Sequence, residues 1–343
     1  MECFFDPHFV LLVVIIAMAL AFDYINGFHD AANAIATVVA TRVMTPKAAV
    51  MFGAIFNLIG ALLGTEVAAT MGKGIVDANL INLETILAAL LGAIIWNLIT
   101  WWWGLPSSSS HALIGSLMGA ACFWTGSVDG HVVHWEKVLD KVVIPMFSSP
   151  IIGFLVGYTL MTLLTWAVYR MTVNKINGIF GKLQILSAGA MALSHGMNDA
   201  QKSMGIIALA VILYKQVPAE QFHVGYEIII PCAVAIGLGT LSGGWKIIRT
   251  LGSKMIKLQP IHGFAAEVTS FSVIMLASHW GIPLSTTHAI TSTIMGVGAT
   301  KRLSAVKWSL VGSIMTAWLL TIPVTFLLSG VIAWVYKWIL SQG

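Results

Sequence analysis

Charged side chains are scarce in this 343-residue chain, where Asp, Glu, Lys and Arg together make up 9%. A soluble domain carries about 25% of them, so there is too little charge here to coat a water-facing surface. Cysteine is scarce too. Cys3, Cys122 and Cys232 lie far apart, which excludes a CxxC redox or zinc motif and a disulfide framework. No GxxxxGK[ST] loop, dinucleotide fingerprint or HExxH occurs, leaving nucleotide-driven pumping and zinc proteolysis without support. The opening "MECFFDPHFV" places Glu2 and Asp6 where a cleavable signal has basic residues, and no small-residue cleavage site follows, so no signal peptide is expected.

What is present is apolar. Hydrophobic residues make up 58% of the chain and mean hydropathy is +0.88, with blocks that reach the ~20 residues needed to span a bilayer. Lipid is the expected solvent and the expected fold is an all-α integral membrane protein. Candidate spans are 9–40, 48–70, 85–103, 105–124 and 143–169, then 183–213, 228–249, 262–282, 283–300 and 308–337. The first of each set is too long for one straight crossing of ~30 Å and holds its polar cluster inside, so each is expected to contain a break. Trp101, Trp102, Trp103, Trp334 and Trp338 near span ends suit interfacial anchoring.

The chain repeats itself. "GFHDAANA" from Gly27 pairs with "GMNDAQKS" from Gly196, and "TMGKG" from Thr70 with "TLGSK" from Thr250. "WGLPSSSSHALIGSLMG" from Trp103 pairs with "WGIPLSTTHAITSTIMG" from Trp280. The order is the same in both halves, giving a first repeat over 1–170, a basic connector at 171–182 and a second repeat over 183–343. Loop charge sets the orientation. Arg42, Lys47, Arg170, Lys175, Lys182, Lys246, Arg249, Lys254, Lys257, Lys301, Arg302 and Lys307 fall in one set of loops without an acid. The alternate loops are net acidic, carrying Asp77, Glu84, Asp129, Glu136, Asp140, Glu220 and Glu227. The alternation holds when each half has five crossings, an odd number. The halves then have opposite topology, both termini lie outside, and the connector lies in the cytoplasm. Inverted repeats with broken helices or hairpins at the midplane, next to the substrate, are a secondary-transporter architecture. The positive charge is spread along one side, so no nucleic-acid surface is expected.

Irregular backbone inside a membrane is tolerated only where it lines a cavity or is buried in protein. Pro106 and Pro283 are expected to start new helices, with Ser107, Ser108, Ser109 and Ser110, and Ser285, Thr286 and Thr287, at the first turn or cap. Free N–H groups, hydroxyls and the positive helix end suit a tetrahedral oxyanion. Serines also cap helices and pack closely in membranes, but two copies in register with proline and histidine favour the anion. His111 and His288 are expected to fix the local backbone. Asp23, Asp30, Glu66, Asp199, Lys202 and Glu267 fall inside spans, where a charge costs at least ~2.5–3.5 kcal/mol. Asp30 and Asp199 are repeat-related, and with Asn26, Asn33, Asn198 and Gln201 nearby they suit a hard cation or a titrating proton. Lys202 takes the place of Asn33 in the second copy, where its ammonium can replace a bound cation or pair with Asp199.

These residues resemble the inorganic phosphate transporter (Pit) family. The resemblance rests on "FDYINGFHDAANAIATVVATRV" from Phe22, "SHGMNDAQKSMGIIALA" from Ser194, the segments at 106–111 and 283–288, and "GFAAEVTS" from Gly263. It covers essentially the whole chain and looks like the short bacterial low-affinity permeases. It implies symport of inorganic phosphate, alone or as a metal–phosphate complex, with protons or sodium, across the bacterial cytoplasmic membrane by alternating access. It gives Asp30, Asn33 and Asp199 coupling roles, joined by Gln201 and Lys202, with Glu267 a partner. If sodium is the coupling ion, Asp30 and Asp199 ligate it. Here His29 replaces an Asn before Asp30, and Gln201–Lys202 replaces Ala–Asn after Asp199; Lys202, standing where a sodium ligand would be, favours protons. No resident cofactor is expected.

A sulfate permease of the same fold, a sodium-coupled phosphate symporter and a passive anion channel are the rivals. An intramembrane serine hydrolase is opposed by the duplication and by the lack of a GxSxG elbow. The oligomeric state, a homo-oligomer included, stays open, as does whether 105–124 and 283–300 span the membrane or re-enter it.

Overall fold

The computed structural model describes residues 6–218 and 221–342. Glu2, Cys3 and Glu220, which entered the sequence arguments, lie outside them. The first half is α1 (Pro7–Ala40), α2 (Pro46–Ala61), α3 (Glu66–Lys73), α4 (Leu83–Trp103), α5 (Ser109–Thr125), α6 (Trp135–Val138) and α7 (Ile144–Val168). A π-helical turn joins α6 to α7. The second half is α8 (Val173–Lys215), α9 (Tyr226–Ser242), α10 (Trp245–Arg249), α11 (Pro260–His279), α12 (Thr286–Ala299) and α13 (Trp308–Gln342). Among the described residues, six helices are long and apolar enough to cross a membrane, or up to eight counting α2–α3 and α9–α10, which bend by 71° and 59°. Local signals set the starts: Asp6 caps α1 ahead of Pro7, Thr45 caps α2 ahead of Pro46, and Asn82 caps α4.

Two expectations need correction. The breaks expected inside 9–40 and 183–213 are absent: α1 and α8 are continuous over 34 and 43 residues. Their buried polar side chains bond to groups on facing helices, so the backbone ladder has no need to open. Both exceed what a ~30 Å core requires at 1.5 Å per residue, and α8 begins with exposed turns around Lys175 and Lys182. Nor do Pro106 and Pro283 occupy first helical positions. Ser108 and Ser285 are the caps, each accepting at 3.2 Å from His111 N or His288 N. The prolines stay two residues upstream in extended chain, where proline is equally at home.

The breaks fall between α4 and α5 and between α11 and α12. Backbone bonds join Asp77 to Val132 and His134 to Ile75, so α5 ends beside the loop from which α4 set out. Gln259 and His262 at the start of α11 share a cavity wall with Thr300 and Lys301 just past α12. Each helix pair is therefore a hairpin that returns to the face it left. Its tip is a Trp-Gly turn, with Gly104 at φ +67 and Gly281 at φ +62, a region that favours glycine.

Elements of one half grip those of the other. Thr70 donates to Gly281 O at 2.6 Å and Lys141 to Trp280 O at 2.7 Å. Thr250 donates to Gly104 O at 3.0 Å and Lys246 to Trp102 O at 3.1 Å. The repeated "TMGKG" and "TLGSK" thus hold the opposite half's hairpin tip. In the same way α9 packs on α1, α2 on α8, α13 on α5 and α7 on α12. From Ser109 to Cys122 and from Thr286 to Ala299 every residue of α5 and α12 is buried. A Cβ added at Gly119 of α5 would meet Phe326 O of α13, and one at Gly296 of α12 would meet Phe154 O of α7. Such small-residue contacts are how helices approach closely in lipid, where no hydrophobic force drives them together.

Candidate functional site

Four elements meet where the hairpins turn inward: the middles of α1 and α8 and the first turns of α5 and α12. The site is buried, with Asp30 the most exposed member at 3%. Ser109 donates to Asp30 Oδ2 at 3.2 Å, and its repeat counterpart Thr286 to Asp199 Oδ2 at 3.3 Å. Thr287 crosses to Asp30 Oδ1 at 3.3 Å. Asn33 Nδ2 donates to Thr287 Oγ1 at 2.9 Å and Thr286 Oγ1 at 3.2 Å. Lys202 Nζ contacts Asp199 Oδ1 and Ser110 Oγ, with Leu284 O at 3.4 Å. Ser110 itself donates to Leu284 O at 3.1 Å. The two helix starts face each other, joined by Ser110 to Leu284 O and by Thr287 to Asp30.

Of the predicted set, the fold brings together Asp30, Asn33, Asp199, Lys202, Ser109, Ser110, Thr286 and Thr287. Ser107 sits at the edge, donating to Thr100 Oγ1 at 2.8 Å. Ser108 and Ser285 form the rim, their hydroxyls committed to capping. Gln201 and Glu267 are elsewhere. Gln201 Oε1 accepts from Val67 N at 2.7 Å and Ala68 N at 3.3 Å, capping α3. Glu267 is bonded by Thr37, Ser187 and Gln184 in a separate buried cluster. Glu66 lies exposed at the α2–α3 bend, bonded to Thr65 N at 3.0 Å. Asp23 accepts from Ser203 at 2.6 Å. His111 and His288 pack edge to face at 4.9 Å, and His288 stacks on Trp318 at 3.9 Å.

Sequence reasoning noted His29 only as a departure from the family pattern and missed His195. His29 Nδ1 lies 2.7 Å from Asp30 Oδ1, while its Nε2 is 3.0 Å from Thr100 Oγ1. His195 Nε2 lies 3.1 Å from Asp199 Oδ2, while its Nδ1 is 3.1 Å from Asn57 Oδ1. Ligand atoms of Asp30, His195 and Asp199 fall within 4.8 Å of one another. The signal was available: His195 precedes Asp199 by four residues, which puts both on one face of a helix.

The chemistry follows from the charge count. Two carboxylates face one ammonium, so with neutral imidazoles the site already carries one uncompensated negative charge. Any anion entering deepens that deficit unless protons or a cation enter too. Asp199 Oδ1, Ser110 Oγ and Leu284 O are oxygen donors of the kind a hard cation takes, and the Lys202 ammonium engages all three. Among the described residues of the site nothing resembles a catalytic triad. Ser110 bonds a lysine and a carbonyl, while its neighbour His111 faces another histidine.

Hairpins tipped by capped helix starts, facing each other around paired buried carboxylates, are an arrangement of the kind secondary transporters use. The comparisons with known proteins are specific. The family profile described as PHO4, phosphate transporter family, matches residues 26–329. The chain is 48% identical over 324 residues to a Rhizobium meliloti protein named "Probable low-affinity inorganic phosphate transporter", covering 94% of this chain and 95% of that one. A Bacillus subtilis protein of the same name is 40% identical over 328 residues, with 95% and 97% covered. A solved structure of a protein described as "The sodium-dependent phosphate transporter" superposes with a TM-score of 0.87 at 23% identity, covering 96% of this chain and 100% of that one. This chain belongs to the phosphate transporter family.

Proposed function

We propose that the protein is a proton-coupled symporter of inorganic phosphate in the bacterial cytoplasmic membrane, working by alternating access. The observation that carries the reading is Lys202, whose ammonium occupies the oxygen cluster of Asp199, Ser110 and Leu284 O. A fixed positive charge takes the part that a sodium ion plays in a sodium-coupled site. The compensating charge then arrives as protons, taken up at the repeat-related carboxylates Asp30 and Asp199, beside which His29 and His195 lie at 2.7 and 3.1 Å.

Phosphate is held between the starts of α5 and α12 by backbone N–H groups, Ser109, Ser110, Thr286, Thr287 and Lys202. Asn33 Oδ1 is buried and has no hydrogen-bond partner. It offers an acceptor for the P–OH of a protonated phosphate, which sulfate lacks. A polar site that hydrogen-bonds a substrate OH discriminates strongly against an analogue without it.

The recurring element order and the exchanged packing of the two halves support inverted repeats that rock against each other around this site. Arg42 and Arg249 line one cavity, and Lys254, Lys257, Lys301, Arg302 and Lys307 another, on the face where α1 ends. Asp6 and Glu84 line a cavity on the face where α1 begins. By the positive-inside rule the first face is cytoplasmic and both termini are outside.

Sodium coupling is the second reading, favoured by the likeness in fold to a sodium-dependent phosphate transporter and by the Asp30–His195–Asp199 cluster. The test of the assignment is uptake of radiolabelled phosphate into proteoliposomes holding wild type, Asp30→Asn or Asp199→Asn, with sulfate as competitor. Wild type is expected to accumulate phosphate insensitively to equimolar sulfate, and both variants to fall to background while still inserted. Wild-type rates in either variant, or matched inhibition by sulfate, would overturn the reading.

A further inference from the structure

The densest positive charge outside the site lies between the turn after α10 and the segment joining α12 to α13. A cavity of about 650 Å³ there is lined by Lys254, Lys257, Lys301, Arg302 and Lys307, with no Asp or Glu on its wall. The ion pairs among the described residues all lie in the central site, so none of these five cations is neutralised by a carboxylate. The arrangement is held in place rather than splayed. Lys307 N donates to Met255 O at 3.2 Å, tying the two segments together. Burial already lowers the Lys301 pKa from its ordinary value.

The rim of this cavity is apolar. Leu303 is 64% exposed and Trp308 47% exposed, and Trp308 Nε1 donates to Leu303 O at 2.8 Å. Tryptophan at a helix start marks the membrane–water boundary. Beyond it α13 turns Met315, Leu319 and Leu320 outward. The ligand that fits is negatively charged at one end and apolar at the other. A free inorganic phosphate fits poorly: a water-sized unit of liquid takes about 30 Å³, so a five-atom anion fills little of the space.

We infer that this cavity is a binding site for an anionic phospholipid, with its phosphate headgroup among Lys254, Lys257, Lys301, Arg302 and Lys307 and its acyl chains along α13. Basic pockets at the cytoplasmic ends of membrane helices hold such headgroups. The site bears on transport through α12, whose 14 residues run from Thr286 at the phosphate site to Ala299 beside the cavity, ~21 Å at 1.5 Å per residue. A lipid held there fixes the base of the α11–α12 hairpin at the membrane surface.

The test is native mass spectrometry of the full-length protein titrated with phosphatidylglycerol, phosphatidylcholine or inorganic phosphate. It compares wild type with Lys257→Gln/Lys301→Gln/Arg302→Gln and with a control that removes equal charge elsewhere on that face, Lys47→Gln/Lys175→Gln/Lys182→Gln. Each charge near the surface is worth about fivefold, so the cavity variant should bind phosphatidylglycerol about 100-fold more weakly, and the control nearly as well as wild type. Equal weakening in both would show diffuse attraction and overturn the site, as would unchanged binding in the cavity variant. Displacement of phosphatidylglycerol by millimolar inorganic phosphate would assign the cavity to the free anion and equally overturn it. Should the variant misfold, photoactivatable phosphatidylglycerol on wild type decides. Labelling of the 301–307 segment supports the site, and labelling confined to other segments refutes it.

Discussion

Lys202 is the residue on which the coupling argument turns. It is wholly buried and bonded to Asp199, Ser110 and Leu284 O. Lys202→Met keeps much of the bulk and removes the charge, leaving Asp199 with His195 and Thr286 only. Removing one member of a buried ion pair costs about 3–5 kcal/mol. At 1.4 kcal/mol per tenfold that is roughly 140- to 4,000-fold in the population of competent site. Proton-driven uptake by this variant should therefore fall by two to three orders of magnitude. Lys202→Asn places there the residue that its counterpart Asn33 carries, and returns the three oxygens to a mobile cation. Uptake by that variant is expected to recover when sodium is supplied and to stay low in its absence. The assay is initial-rate uptake in proteoliposomes under an imposed pH gradient, with and without sodium, normalised to reconstituted protein. Near-wild-type rates for Lys202→Met without sodium would refute the reasoning, because the ammonium would then have no part in charge compensation.

Two further outcomes follow from the packing and hydrogen bonding. Asn33→Leu keeps a similar shape and removes the unpartnered acceptor Oδ1 together with the Nδ2 donor, and should raise the KM for phosphate about 5- to 150-fold, the worth of about 1–3 kcal/mol for a lost buried partner, with sulfate becoming a more effective inhibitor; unchanged discrimination removes Asn33 from selectivity. Gly119→Ala drives a methyl group against Phe326 O where α5 meets α13 and should lower stability by about 1–3 kcal/mol, read as a depressed melting temperature in detergent, whereas an unchanged melting temperature would mean the two helices are free to separate.

Much of this protein was legible in its sequence because the membrane restricts the options. Scarce charge, long apolar blocks and a doubled Pro–Ser/Thr–His segment led to an all-helical membrane protein with two anion-suited helix starts. The spacing of Asp30 and Asp199 within matching octets put both at the site. What the sequence withheld depends on which helices face each other. A buried polar cluster inside a long apolar run reads equally well as a helix break or as a continuous helix with partners opposite, and α1 and α8 turned out continuous. Gln201 stands two residues from Asp199 and therefore points elsewhere on the helix, to the start of α3. Glu267 met Thr37, Ser187 and Gln184 through side-chain proximity that no spacing rule encodes. The repeats of Thr70 and Thr250 were visible as letters, but their work of holding the opposite hairpin tip appears only when the halves are packed together.

The measurement that bears most directly on the central claim uses wild-type protein in proteoliposomes with radiolabelled phosphate inside or out and two gradients imposed separately. An inwardly directed proton gradient in sodium-free buffer should drive phosphate above equilibrium, and a sodium gradient at equal pH on both sides should not. Accumulation that requires sodium and ignores the proton gradient would contradict the account, and would make Asp30 and Asp199 ligands of a metal cation with Lys202 merely their charge partner.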